Sequence, residues 1–541
     1  MEFNLIIGGE AGQGAFSVEV ALADILVRLH YYFFATKNYM SRVRGGHNFH
    51  MFRIADHPVH ALNGGLWDMV VALDEETERR HQPKLREKGI YLSKTFTEEI
   101  GHESREIFHD VTVANTILVG MILSVIGTEA ENLSDVLDAK HMEYVMHGFK
   151  LASQHGLSGV YPVPARAGNQ CSFDGNKAVA IGAFLGGCQF MAGYPMTPST
   201  SIMYYFATAA VSAPAHFEQA EDEISAINMV IGASYGGLRS MVATSGGGFA
   251  LMQEGVSLVG MTETPVVIVV GQRPGPATGL PTRTEQGDLN FVLHSGHGEF
   301  PRIIFAPRTI EEAITLTRKS FDLADQYQIP VFILTDQYFA DSMQVLEDNI
   351  PLEVLARKYS LHDLPYRRYA LTETGISPLT YPGLSEALVR VDSDEHDEDG
   401  KITEDLELRV RMVDKRRGKM LLLKNEAVMP TFSGKPNADT IVLSWGSNRL
   451  IVEEAIHKLS DEEIHLSALH FGQVYPLVRE MIAPYGLESK MIICVENNAG
   501  GQFAGLLKRE FGLNVTHSVL KYSGECFTVS ELQRRFKKLL S

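Results

Sequence analysis

VATSGGGFALMQEG, residues 242–255, and VVIVVGQRPGPATGLPTRTEQGDL, residues 266–289, decide the fold between them. The first passes from a short apolar strand through three glycines into a helical pattern. The second opens on a run of β-branched residues and ends in a loop rich in glycine and proline. Strand, turn, helix, strand is the βαβ unit of a parallel sheet, whose strands read as unbroken apolar runs because both faces are covered. Similar runs at 303–305 and 331–335 extend the pattern. A doubly wound domain is therefore expected over 166–345.

The rhythm differs on either side. An apolar run at 3–7, the turn GGEAGQGAF, a helical stretch at 18–29 and a strand at 69–73 mark an α/β domain over 1–165. GLSGVYPVPARAGNQ (156–170) has the glycines and prolines of a linker. Over 346–436 the alternation is lost in a connecting segment that holds VDSDEHDEDGKITEDLE and a basic cluster at 415–419. A last α/β domain, 437–541, has strands at 441–444 and 491–495.

A chain of 541 residues needs several cores. Its net charge of -18, with no basic stripe, argues against nucleic acid as a partner. The four cysteines form no C-x-x-C pair, so they mark neither a zinc nor an iron–sulfur site, and their scarcity suits a reducing compartment. The first residues, MEFNLIIGGE, lack the basic start of a signal peptide. The longest apolar run, 113–127, is too short for a bilayer and is broken by Asn115 and Thr116. A cytoplasmic protein without a membrane span is expected.

Several motifs carry possible chemistry. Gly12 and Gly14 in GGEAGQG offer backbone N–H groups to a phosphate, although a plain tight turn explains them equally and G-x-G-x-x-G is not matched. Arg42 and Arg44 in SRVRGGHNFH suit phosphates, or a surface turn. In GYPMTPST (193–200), Pro195 and Pro198 stiffen the backbone and aim the Thr197 hydroxyl; a helix cap is the plainer alternative.

HFEQAEDEISAINMVIGASYGG (216–237) sets four acidic residues at the head of a helix, where dipole compensation explains most of them. Glu223, next to an expected buried stripe of Ile224, Ile227 and Ile231, can instead face inward and share a proton with a ligand nitrogen. Arg273, at the carboxyl end of a strand with Thr278 and Thr282 nearby, suits a carboxylate. A structural ion pair is the alternative.

Taken together, GYPMTPST, EDEISAINMVIGAS, RPGPATGLPT and ENNAGGQFAGLL (496–507) resemble motifs of the α subunits of 2-oxoacid:ferredoxin oxidoreductases. GGEAGQG and SRVRGG resemble the γ subunit, giving a fused γ–α order over nearly the whole chain. The resemblance implies a multidomain α/β protein: a γ-type domain, a pyrimidine-type thiamine-diphosphate domain and a transketolase-C-terminal-like domain. It implies that Glu223 bonds N1′ of the aminopyrimidine, favouring the imino tautomer that takes the proton from C2. Tyr194 and Pro195 would line the ring, and Thr197, Arg273, Thr278 and Thr282 would hold a 2-oxoacid. Gly12, Gly14, Arg42 and Arg44 would serve coenzyme A.

No G-D-G with a paired-Asn metal loop and no cluster-holding cysteine set stands in the sequence. In the family the diphosphate and Mg2+ site and the four-iron four-sulfur cluster belong to a β subunit. An (αβ)2 assembly that reduces ferredoxin is thus implied, with this chain inactive alone. The acidic stretch is read as a solvated loop; its similarity to 2-oxoglutarate-type members tilts the substrate toward 2-oxoglutarate over pyruvate or branched-chain acids. A non-catalytic coenzyme-A-binding assembly subunit is the reading from another class.

Overall fold

The computed structural model describes residues 1–41, 45–165, 170–346, 353–357 and 364–541. The chain divides into two compact units. One contains Met1–Asp174 and two short later segments; the other contains Gly175–Ala340 and most of the remainder.

Along the chain come β1 (Glu2–Ala11), α1 (Ala15–Arg28), β2 (Tyr32–Asn38), β3 (Gly45–Ala55), β4 (Trp67–Ala72), α2 (Glu75–His81), β5 (Leu85–Leu92), α3 (Lys94–Phe108), α4 (Ala114–Val125), α5 (Ala139–Gln154) and β6 (Cys171–Asp174). Then follow α6 (Gly175–Leu185), β7 (Phe190–Gly193), α7 (Thr200–Ala210), β8 (His216–Gln219), α8 (Glu223–Tyr235), β9 (Ser240–Ser245), α9 (Gly246–Leu251), α10 (Gln253–Thr262), β10 (Val266–Gln272), α11 (Leu289–Leu293), β11 (Ile303–Phe305), α12 (Ile310–Tyr327), β12 (Pro330–Asp336), α13 (Gln337–Asp341) and β13 (Met343–Leu346). The last part holds α14 (Leu406–Leu423), β14 (Thr431–Gly434), β15 (Thr440–Trp445), α15 (Asn448–Ser460), β16 (Ser467–Phe471), β17 (Gln473–Tyr475), β18 (Met491–Glu496), α16 (Gln502–Phe511) and β19 (His517–Leu520).

The first unit is built on a mixed sheet of order β5-β4-β1-β3-β2-β13-β6, parallel only over β5, β4 and β1. The apolar run at 113–127 becomes α4, buried over most of its length. It packs on α5 where two glycines meet: a Cβ at Gly120 would lie 2.2 Å from the Val145 carbonyl oxygen, and one at Gly148 2.2 Å from that of Ile117. The run is a core helix, and among the described residues no helix is long and apolar enough to cross a membrane.

The second unit holds two sheets. In the order β17-β11-β12-β10-β9-β7-β8, every strand is parallel to its neighbour except β17. The other, β14-β16-β15-β18-β19, is parallel apart from β14. A continuous apolar core joins them, running from Ile227, Val242 and Ile268 to Leu443, Trp445 and Phe503. The family-type architecture expected from sequence, several α/β domains with parallel sheets, is what the chain adopts.

The connecting segment is more than a tether. Glu263 closes α10 in the left-handed region and is 2% exposed. Lys415 and Lys419, one turn apart on α14, both reach its carboxylate. Burial opposes ionisation, but Lys419 and Lys415 outweigh it and hold Glu263 well below the usual carboxylate range. Nor is the acidic stretch merely solvated, as the sequence suggested: Glu395 pairs with Arg416 and Arg409, and His396 is fully buried against Tyr369.

Glu263→Gln would leave two buried ammoniums facing a neutral amide, a change that costs about 3–5 kcal/mol. A lowered melting temperature and faster hydrogen exchange over 406–423 are expected; unchanged protection of α14 would contradict the anchor.

Candidate functional site at the carboxyl edge of the parallel sheet

The strand order makes the site. From β7 the chain crosses to β8 on one side, and β9 then returns to the other side of β7. Connections that diverge from neighbouring strands leave a crevice outside their carboxyl ends. Three loops and a helix start meet there: 194–199 after β7, 220–222 after β8, 273–288 after β10, and the three glycines that open α9 directly after β9 as its first turn.

The glycine turn brings these loops together because it has no side chains. A Cβ at Gly246 would lie 2.4 Å from Asp288 Oδ2; one at Gly247, 3.5 Å from the Ala277 carbonyl oxygen; one at Gly248, 2.4 Å from Glu223 Oε1 and 2.2 Å from Thr244 Oγ1. Any side chain at Gly246 or Gly248 would displace a carboxyl group. On the adjoining strand, a Cβ at Gly271 would lie 2.8 Å from Ser199 Oγ, so the proline loop is equally close.

Glu223 is 3% exposed, and its Oε1 is buried with no hydrogen-bond partner. Local structure explains why this residue, of four acids, turns inward. Asp222 is the N-cap of α8, accepting from Ser225 N at 2.7 Å, and fixes Glu223 as the first helical residue. Glu221 is exposed, and Glu218 lies not on the helix but on β8. Ile227 and Ile231 are buried as expected, whereas Ile224 is 48% exposed: the buried stripe runs through Glu223, Ala226, Ile227, Val230 and Ile231 and leaves Ile224 outside it.

Arg273 donates from Nη1 to the Thr197 carbonyl oxygen at 2.8 Å, and its Nε is buried without a partner. The arginine therefore holds the proline loop and keeps further donor capacity. Ser199 does not cap α7 with its side chain; its hydroxyl donates to the Thr244 carbonyl. Thr282 is 8% exposed, Thr278 lies exposed, and Tyr194 and Pro195 are exposed at the edge. Sequence reasoning missed Asp288 and Ser245, each with an unpartnered buried oxygen at the same edge. Both stood in quoted motifs, but nothing in their spacing showed that they would meet at one edge, Asp288 beside Gly246.

The segment after β18 clamps the arginine loop. Gln286 N donates to the Asn497 carbonyl at 2.7 Å, Asn498 Nδ2 to that of Gln286, and Gln502 Nε2 to that of Gly287 at 2.7 Å. Asn290 N closes the set on Gln502 Oε1 at 2.8 Å. Behind them the fully buried Glu496 accepts from Trp445, Asn498, Phe503 and Ala504. The ENNAGGQ motif is thus a template for residues 286–290.

In the first unit, Gly12 and Gln13 line a cavity of about 450 Å³ with His102, Arg105, Thr112 and Asn115. Gly14 adopts φ 99°, and a Cβ there would meet the Asn115 side chain at 2.2 Å. Arg42 and Arg44 lie outside the described residues. Among the described residues no group of three or more His, Cys, Asp and Glu side chains could hold a metal.

Family profiles match at both sites: "Pyruvate flavodoxin/ferredoxin oxidoreductase, thiamine diP-bdg" over residues 181–415 and "Pyruvate ferredoxin/flavodoxin oxidoreductase" over 4–146. The chain is 28% identical to the 2-oxoacid:ferredoxin oxidoreductase subunit alpha of Saccharolobus solfataricus, over 100% of this chain and 98% of that one. It is 34% identical to the 2-oxoglutarate synthase subunit KorA of Methanocaldococcus jannaschii, over 60% of this chain and 88% of the relative. A solved 2-oxoglutarate:ferredoxin oxidoreductase from Magnetococcus marinus, with 2-oxoglutarate, coenzyme A and succinyl-CoA bound, superposes with a TM-score of 0.91 at 27% identity, covering 100% of both chains. The chain belongs to the 2-oxoacid:ferredoxin oxidoreductase family, as an alpha subunit of this class of oxidoreductase.

Asn498→Ala should leave the fold intact and speed amide exchange at Gln286 and Asn290 roughly tenfold, the loss expected for one or two hydrogen bonds. Exchange unchanged at both amides would show that the loop does not depend on the motif.

Proposed function

We propose that this chain holds the aminopyrimidine ring of thiamine diphosphate and the 2-oxoacid substrate in an oxidative decarboxylation. 2-Oxoglutarate is the favoured substrate. The reaction takes one 2-oxoacid, one coenzyme A and two oxidised ferredoxins to acyl-CoA, CO2, a proton and two reduced ferredoxins, or runs in reverse. The observation that carries this reading is the buried, unpartnered Oε1 of Glu223. A carboxylate oxygen out of water needs a donor, and a ring N–H of the cofactor is a donor of the right kind. When bound, the cofactor supplies the carbon nucleophile that the reaction needs and this chain lacks.

The chain's own groups do the rest. Glu223 gives a proton to the ring nitrogen or shares one with it, its carboxyl lying close beside Gly248. Arg273, with Nη1 occupied by Thr197, presents its remaining donors to the substrate carboxylate, with Thr197 and the buried Thr282 beside it and Thr278 at the rim. Tyr194 and Pro195 line the ring's edge. The 2-oxoglutarate synthase relatives and the neighbour with bound 2-oxoglutarate support the choice of substrate.

A β subunit carrying the Mg2+ and diphosphate site and the four-iron four-sulfur cluster would complete the active site, in an (αβ)2 complex of the cytoplasm. Apolar side chains exposed around the carboxyl edge, Ile224 at 48%, Leu251 at 52% and Leu280 at 49%, support such a covering partner. The cavity beside Gly12, with Arg105 and His102 in its wall, supports a coenzyme A site in the first unit.

In the complex with its partner subunit, Glu223→Gln should retain assembly and slow exchange of the thiamine C2 proton by about 10²–10⁴-fold, the usual weight of one acid–base group. Wild-type exchange would refute the assignment. Arg273→Ala should raise the 2-oxoacid KM by roughly 10- to 100-fold, the worth of a charged hydrogen bond, with thiamine affinity unchanged. A substrate panel read by viologen reduction tests the preference: pyruvate outrunning 2-oxoglutarate in kcat/KM would overturn it.

A further inference from the structure

A second carboxyl, that of the half-buried Asp288, stands at the same edge without a role in the chemistry above. Its Oδ2 is closed off from solvent and has no hydrogen-bond partner. It cannot swing outward easily: the carboxyl rests on the α-carbon of Gly246, and its own N–H is bound to Gln272 Oε1 at 3.0 Å. Its preceding residues, Gln286 and Gly287, are held by Asn497, Asn498 and Gln502.

Arg273 and Asp288 feel each other's charge, yet no ion pair joins them, and the Arg273 Nε, like Asp288 Oδ2, is buried and unsatisfied. The charged groups acting on Asp288 are Arg273 and, on its own loop, Glu285. The glycine turn, Gln272 and the amides of the C-terminal motif bring no net charge to it. Burial, reinforced by Glu285 and opposed by Arg273, raises the carboxyl to about 6. It therefore changes charge close to neutral pH.

Given that Arg273 receives the substrate carboxylate, we propose that Asp288 is a positioning residue that must carry a proton for the 2-oxoacid to bind. An ionised Asp288 would compete with the incoming carboxylate for a single guanidinium in a desolvated site, and like charges so placed repel. A neutral Asp288 leaves the positive charge of Arg273 to the substrate and can donate its own O–H. Binding of the 2-oxoacid anion then takes up one proton whenever the free site is ionised, and affinity falls as pH rises through the carboxyl's range.

The test uses the thiamine-loaded complex with its partner subunit. N-oxalylglycine, an isostere of 2-oxoglutarate with an unreactive amide, is titrated by calorimetry at pH 7 in phosphate and in Tris, whose ionisation heats differ. Uptake of about one proton is expected from the unmodified complex, and none from Asp288→Asn, which keeps the shape and the neutrality. In turnover, the KM for 2-oxoglutarate should rise by about one to two orders of magnitude from pH 6 to pH 8 in the unmodified complex, with kcat little changed, and stay flat in the variant.

No proton uptake by the unmodified complex overturns the proposal without recourse to any variant, as does an unchanged uptake in Asp288→Asn. Arg273→Ala separates the two assignments. If it binds N-oxalylglycine as well as the unmodified complex does, the carboxylate contact at Arg273 fails. If binding weakens while Asp288→Asn still takes up the proton, the role of Asp288 alone fails.

Discussion

A turn of three glycines wedged between the buried carboxyl of Glu223 and the half-buried one of Asp288 is the constraint on which the site depends. Gly248 lets Glu223 in and Gly246 lets Asp288 in, each at a distance no side chain would allow. Desolvating a carboxyl costs several kcal/mol unless donors repay it. Here one oxygen of each is left unpartnered inside the protein. Stored cost of this kind collects where a ligand later supplies the missing partner.

The surrounding structure keeps that arrangement from relaxing. Strand order opens the crevice, and the N-cap at Asp222 sets which acid of the run enters it. The segment after β18 contributes a row of amides that hold residues 286–290 in place. The connecting segment is pinned to α10 by a buried carboxylate between two lysines. Each device positions backbone, and the backbone positions the charges.

Much of the fold was legible because parallel strands must be apolar on both faces. The runs at 241–244, 266–270, 331–335 and 441–444 all fall within observed strands. Glu223, read as able to face inward, is buried, while Glu221 of the same acidic run is exposed. What sequence did not reveal depends on three-dimensional proximity. Asp288 looked like one more polar loop residue because its burial comes from Gly246, some forty positions earlier. Ile224 looked buried from its spacing, but it begins the exposed side of α8. The acidic stretch looked solvated until Arg416 and Tyr369 supplied partners for Glu395 and His396. In the first unit the glycines at 12 and 14 resolve into a cavity wall and a close approach to Asn115.

The most direct measurement is nitrogen NMR of the assembled complex loaded with thiamine diphosphate labelled at N1′. If the orphaned Glu223 oxygen meets that nitrogen, its resonance should move to the position of a protonated, hydrogen-bonded ring nitrogen and return toward the free cofactor's in Glu223→Ala. A bound cofactor whose N1′ resonance matches the unprotonated free ring, or one indifferent to loss of the carboxyl, would contradict the account.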